Sequence, residues 1–179
     1  MNVFIAFACI LQVSNCQSVP TSVGVITCDH CETPGEVTLR VPGQDLKLLP
    51  SDGRKHFSLS SADPDHFFCR RGTRYKLSVS KTEPNQWIVD REFYPGESGL
   101  AVFDSDGNAV GLVLGNRLVD GSWRGRVARF DSFVRSVVVA PNVSHLIRQR
   151  FLRLDIPVPA TLDPFRRRHL RQRLNRLAR

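Results

Sequence analysis

The sequence predicts an all-β fold, two small antiparallel barrels of six strands each, followed by a basic helical tail. Three observations predict it. Short apolar segments rich in Val, Ile, Leu and Phe recur along the first 140 residues, divided by turn signals at 50–53, 63–64, 72, 84–85, 95–96 and 120–121. No long helical period precedes residue 143. The formal net charge of +8 lies wholly in residues 141–179, which hold ten arginines against Asp155 and Asp163, while the first 140 residues are balanced. At 179 residues and 41% hydrophobic content, the chain is long enough to bury a real interior.

The elements follow in order. Residues 3–11 (VFIAFACIL) are too short to span a bilayer, and no Lys or Arg precedes them as in a secretory leader. They read as a buried first strand, kept in the mature protein and paired with residues 23–27. The alternative is a signal peptide cut after residues 14–16. Residues 23–27 (VGVIT) form a second apolar strand that runs into His30. Residues 36–41 alternate like a half-buried strand, Pro42-Gly43 turns the chain, and Asp45 leads the apolar residues 46–49. Further strands are expected at 57–60, 75–80, 87–90, 124–130 and 133–140.

Residues 94–116 organise the chain. Ser98 sits in Gly96-Glu97-Ser98-Gly99, followed by an apolar run at 100–103, the polar turn 104–107 and a second apolar run at 109–114. Two apolar runs joined by a Gly-containing turn predict a β-hairpin with Ser98 at its mouth. A glycine-flanked serine alone reads as an ordinary loop residue; what lifts it is a base and a carboxylate elsewhere.

Residues 25–31 (VITCDHC) resemble the T-A-A-H-C segment around the catalytic histidine of chymotrypsin-like serine proteases. The match holds at Ile26, Thr27, His30 and Cys31, with Cys28 and Asp29 where that family has alanines. Residues 45–49 (DLKLL) resemble the D-I-A-L-L stretch that carries the family's aspartate; Asp52, Asp63 and Asp65 compete for the role but lead no apolar strand. The order His30, Asp45, Ser98 is that of chymotrypsin. The short span from His30 to Ser98 resembles the compact viral members, above all the alphavirus capsid protease. There a P/R-G-D-S-G segment precedes a D-N-x-G-R turn and V-V-A-I-V-L-G-G; residues 95–99, 104–107 and 109–115 answer these, and residues 8–13 resemble its opening strand.

The resemblance implies a His30–Asp45–Ser98 triad, an oxyanion hole from the Gly96 and Ser98 amides, and substrate pairing along residues 112–115, with Val113, Leu114 and Gly115 as binding residues. Glu92, six before the serine, answers the base of the P1 pocket in trypsin-like enzymes, although the compact viral enzymes keep another register. Glu97 stands where an aspartate is usual. A Cys16–Cys31 bridge is implied if the compartment is oxidising. The five cysteines also allow a zinc reading, since Cys28-x-x-Cys31 has half-site spacing, but no second pair completes it. No cofactor or metal is expected.

Three segments result: 1–53 with His30 and Asp45, 54–140 with Ser98, and 141–179 as linker and tail. Pro157, Pro159 and Pro164 stiffen the linker. Leu170, Leu174 and Leu177 share one face of a helix otherwise rich in arginine. Arg166, Arg167, Arg168, Arg171, Arg173, Arg176 and Arg179 suit phosphate oxygens, so RNA is the expected partner and an anionic membrane surface the alternative. The functional expectation is a serine endopeptidase cut from, and cutting, a viral polyprotein in the host cytoplasm or virion, with secretion as the alternative; the Asn142-Val-Ser144 sequon matters only there. The competing expectation is a catalytically inactive module of the same fold, used as a capsid or RNA-binding protein.

Overall fold

The computed structural model describes residues 16–33, 35–41, 43–60, 66–70, 72–140 and 143–154. The expected strand at 3–11 and the helix of the basic tail lie outside them. The described chain is mostly β, with two antiparallel sheets and two short helices. The first sheet holds β1 (Ser18–Thr21), β2 (Gly24–Cys28), β3 (Leu39–Arg40) and β4 (Leu46–Leu49) in the order β1-β2-β4-β3. The second holds β5 (His66–Arg70), β6 (Thr73–Leu77), β7 (Val79–Thr82), β8 (Gln86–Val89), β9 (Ala101–Phe103), β10 (Ala109–Val119) and β11 (Ser122–Arg129) in the order β6-β5-β9-β10-β11-β8-β7.

Against the expected two six-stranded barrels, the described residues form antiparallel sheets of four and seven strands, with no ring closure among the described pairings. The segment 57–60, expected as a strand, makes two isolated parallel bridges instead, Thr21 with Phe57 and Leu59 with Ala109. It thereby stitches the first sheet to the second. The expected strand at 36–41 shrinks to the two residues of β3. The one expected at 75–80 divides between β6 and β7, which flank Ser78.

The place beside β2 expected for residues 3–11, which lie outside the described residues, is held by β1, with β4 on the other edge. The strand that takes the place, β1, was hidden in the sequence by Pro20. Proline is tolerated there because β1 is an edge strand.

Residues 133–140 form no strand. They belong to α1 (Phe130–Val139), which precedes α2 (His145–Leu152). The β-branched run of valines suggests a strand, yet Phe130, Phe133, Val134 and Val137 recur at helical spacing and are all buried. Asp131 in the first turn favours the helix dipole and is clamped by Arg129 at 2.8 Å and Arg135 at 2.9 Å. The helical stripe was legible and the β-branched residues outweighed it.

The apolar residues divide between two cores separated by β10. Leu112 and Leu114 face one core with Ile26, Leu46, Leu48 and Phe133, while Val110 and Val113 face the other with Phe68, Trp87 and Val127. Irregularities between Ala109 and Gly111 and between Val113 and Gly115 reset the alternation at both ends of this stretch. The second irregularity lies beside Ser98.

Candidate active site

His30 stands on the turn that ends β2, where the Cys31 amide donates back to the Cys28 carbonyl at 3.3 Å. Asp45 precedes β4, the neighbour of β2, so the antiparallel register brings the two together. Hydrogen bonds from His30 and from Asp29 before it hold this arrangement. His30 Nδ1 lies 3.0 Å from both carboxylate oxygens of Asp45, the His30 amide donates to Oδ1 at 3.2 Å, and the Asp29 amide donates to the Asp45 carbonyl at 3.1 Å. The carboxylate thus fixes both the ring and the backbone of His30. Asp52, the described competitor, is instead taken by the side chain and amide of Arg54; Asp63 and Asp65 lie outside the described residues.

Ser98 lies between two left-handed glycines, Gly96 at φ 86° and Gly99 at φ 89°. Glu97 closes this turn: its buried carboxylate accepts from the Tyr94 amide at 2.7 Å, and its own amide donates to the Tyr94 carbonyl at 3.0 Å. That gives the longer acid a definite structural place. Among the described residues, the N–H groups of Gly96 and Ser98 meet no acceptor. The Ser98 hydroxyl donates to the Leu114 carbonyl at 3.4 Å. A Cβ at Gly115 would lie 3.7 Å from that hydroxyl, so the β10 backbone passes close to it.

The His30 and Ser98 turns are tied together by a short covalent and hydrogen-bonded route. Cys16 and Cys31 form a disulfide. Gln17, next to Cys16, donates its amide to the Ser98 carbonyl at 2.7 Å and accepts at its own carbonyl from the Thr27 hydroxyl at 2.9 Å. The disulfide also removes the zinc alternative. Cys16, His30 and Cys31 have donor atoms within 4.8 Å of one another, but the two sulfurs are bonded to each other. Cys28 is buried and donates to the Val113 carbonyl at 3.3 Å, and burial pushes its thiol well above the ordinary range, with the Asp45 charge adding to the shift.

The other residues singled out in the sequence fall as follows. Glu92 is exposed. Val113 is fully buried, with its amide on the Leu100 carbonyl at 2.9 Å and its carbonyl taking the Gly99 amide at 2.7 Å, so it has no backbone group to offer a substrate. Leu114 and Gly115 follow it in β10, the Leu114 carbonyl beside the Ser98 hydroxyl. Arg166, Arg167, Arg168, Arg171, Arg173, Arg176 and Arg179 lie outside the described residues. Arg126 was missed. Its guanidinium lies 4.0 Å from Asp45 Oδ2, reaching from β11 of the second sheet to the carboxylate of the first. It is paired across the sheet with Gly115. Nothing local in the sequence marks it.

No protein-family model and no curated protein sequence matches the chain. Solved structures do match. A serine endoprotease from Yersinia pestis superposes with a TM-score of 0.53 at 13% identity, covering 75% of this chain and 57% of its own. The fold is chymotrypsin-like. This chain spans somewhat over half the length of that Yersinia protein. The MamO protease domain from Magnetospirillum magneticum in its apo form (TM-score 0.44, 16% identity, 67% of this chain and 86% of that one) and the Rv3671c protease in an inactive form (0.49, 13%, 68% and 82%) are also similar. The likeness is one of fold, that of chymotrypsin-like proteases.

Proposed function

We propose that the chain is a serine endopeptidase in which Ser98 is the nucleophile, His30 the general base and Asp45 the residue that orients it. The observation that carries this reading is the double hold of Asp45 on His30, through Nδ1 at 3.0 Å and through the amide at 3.2 Å. A carboxylate on Nδ1 keeps that nitrogen protonated and leaves Nε2 as the free base. The Ser98 hydroxyl then gives its proton to Nε2 as its oxygen bonds to the scissile carbonyl carbon. The imidazolium passes that proton to the leaving amine, and water releases the acyl group by the reverse sequence. The Gly96 and Ser98 amides would hold the developing oxyanion, at about 3 kcal/mol for each donor. The carbonyl of Leu114 and the backbone of Gly115 would take the substrate as an added strand. Glu92 would favour a basic residue before the cut.

The experiment is covalent labelling of the full chain with a fluorophosphonate, whose fluoride the Ser98 oxygen displaces. Labelling at Ser98 in wild type, absent in Ser98→Ala and in His30→Ala, is the expected result. An unlabelled, folded wild type would instead favour the inactive binding module. A precursor polyprotein as substrate, and RNA as partner of the Arg-rich segment, are proposed from the sequence alone.

A further inference from the structure

We propose that Lys47 is a positioning residue for His30, an inference that rests on the endopeptidase reading above. Lys47 lies in β4, two residues after Asp45. Its side chain is buried, at 2% exposure, although it carries an ammonium. Nζ donates to the carbonyl of Asp29 at 3.3 Å and to the carbonyl of Cys31. Those two carbonyls bracket His30. The ammonium therefore straddles the turn and fixes the peptide before His30 and the peptide after Cys31.

The turn is held from other directions as well. The Asp29 amide is bonded to the Asp45 carbonyl at 3.1 Å, and the Asp29 carboxylate to Arg40 Nε at 2.7 Å. Cys31 is fixed by its disulfide to Cys16. Lys47 reaches this turn from β4, the strand next to β2. Burying an ammonium is costly, and an apolar side chain of the same length would fill the space without that cost. What the ammonium adds is direction, since its donors must point at the two carbonyls. In the D-I-A-L-L segment that residues 45–49 resemble, alanine stands at this position, so the clamp is a property of this chain. Lys47 also lines the cavity of about 590 Å³ beside His30, so the space around the turn is open and does not hold it by packing alone.

The test compares wild type with Lys47→Met, which keeps the length and removes the donors, in the full chain. Three quantities are read: the maximal phosphonylation rate at Ser98, the probe concentration giving half that rate, and the downfield proton signal of His30 Nδ1 in histidine-labelled protein. The expected result is a folded variant with its disulfide intact and a maximal rate reduced about 10- to 100-fold, since a small misplacement of a catalytic group costs that much. The half-saturating concentration should hold within about twofold, and the Nδ1 proton signal should broaden or vanish. A rate and a signal both like wild type, with only the melting temperature changed, would overturn the proposal and leave Lys47 a packing residue. Should Lys47→Met not fold, Lys47→Gln keeps a neutral donor nitrogen with two N–H groups in place of three; an intermediate rate and signal support the clamp, and wild-type values overturn it. If wild type itself resists the probe, the endopeptidase reading fails, and the His30 signal alone still decides the positioning role.

Discussion

The amide of Gln17 donates to the carbonyl of Ser98 at 2.7 Å, while Cys16 just before it is bonded to Cys31, the residue after His30. The disulfide therefore links the backbone of the candidate nucleophile to that of the candidate base across 15 residues of sequence between the sulfurs. Replacing both cysteines with alanine should cost about 3 kcal/mol of stability, the entropy of a loop of this length. It should also slow Ser98 labelling at temperatures where the protein is still folded. Denaturant unfolding reads the first effect and the labelling rate the second. Unchanged labelling would show that Gln17 holds Ser98 without the bridge.

Ser98→Ala and His30→Ala should each lower peptide hydrolysis by several orders of magnitude, and the double variant should be little worse than either, since nucleophile and base act as one unit. Asp45→Asn should lower turnover by about 10⁴ through the wrong imidazole tautomer. Asp52→Asn should leave turnover near wild type, because Asp52 is bonded to Arg54. A crippled Asp52→Asn beside an active Asp45→Asn would reverse the assignment.

Gly99→Ala should be among the most damaging single changes in the chain. Its Cβ would sit 1.8 Å from the Gln17 carbonyl oxygen, and φ is 89°. The left-handed backbone costs about 1–2 kcal/mol for an L-residue before any clash is counted. Thermal melting should show a loss well beyond that figure. A wild-type melting temperature would mean that the Gln17 segment moves aside freely.

The buried Cys28 thiol should resist iodoacetamide at pH 8 in the native state and react once the chain is unfolded, with peptide mapping as the readout. Its folded pKa is raised by burial. The unfolded chain therefore releases this proton first, near its ordinary value of about 8.5. The stabilising contribution of the neutral thiol is complete below that value and is lost as pH rises above it. Cys28→Val should remove this part of the alkaline decline in stability. An identical alkaline limb in the variant would assign it to other groups.

The Arg-rich tail should bind single-stranded RNA independently of catalysis. With about five arginines on phosphates, log K should fall with log salt at a slope of about −3.5. Deleting residues 164–179 should flatten the slope and leave Ser98 labelling unchanged. Replacing Leu170, Leu174 and Leu177 with serine should spare RNA binding and abolish vesicle binding. RNA binding that collapses with the leucines but survives removal of the arginines would overturn the phosphate-binding account.

The sequence alone determined what depends on neighbours along the chain. The glycines around Ser98 set its turn, since only they take a left-handed backbone freely. The hairpin of β9 and β10 was written in two apolar runs around a polar turn. His30 after one strand and Asp45 before another could be picked out because each stands where an apolar segment meets a polar one. Local signals misled where they conflicted. Pro20 masked β1, which needed only an edge position. The valines near residue 137 suggested a strand although Phe130, Phe133 and Val134 already set a helical stripe. Tertiary structure alone decided the contacts between distant segments. That Val113 is closed to a substrate follows from Gly99 and Leu100 occupying its edge. That Lys47 reaches the carbonyls around His30, and Arg126 the carboxylate of Asp45, follows from β4 lying beside β2 and β11 reaching the first sheet. No periodicity or spacing encodes such meetings, because pairing between strands far apart in sequence is fixed by the burial of the whole core and not by any one segment's residues.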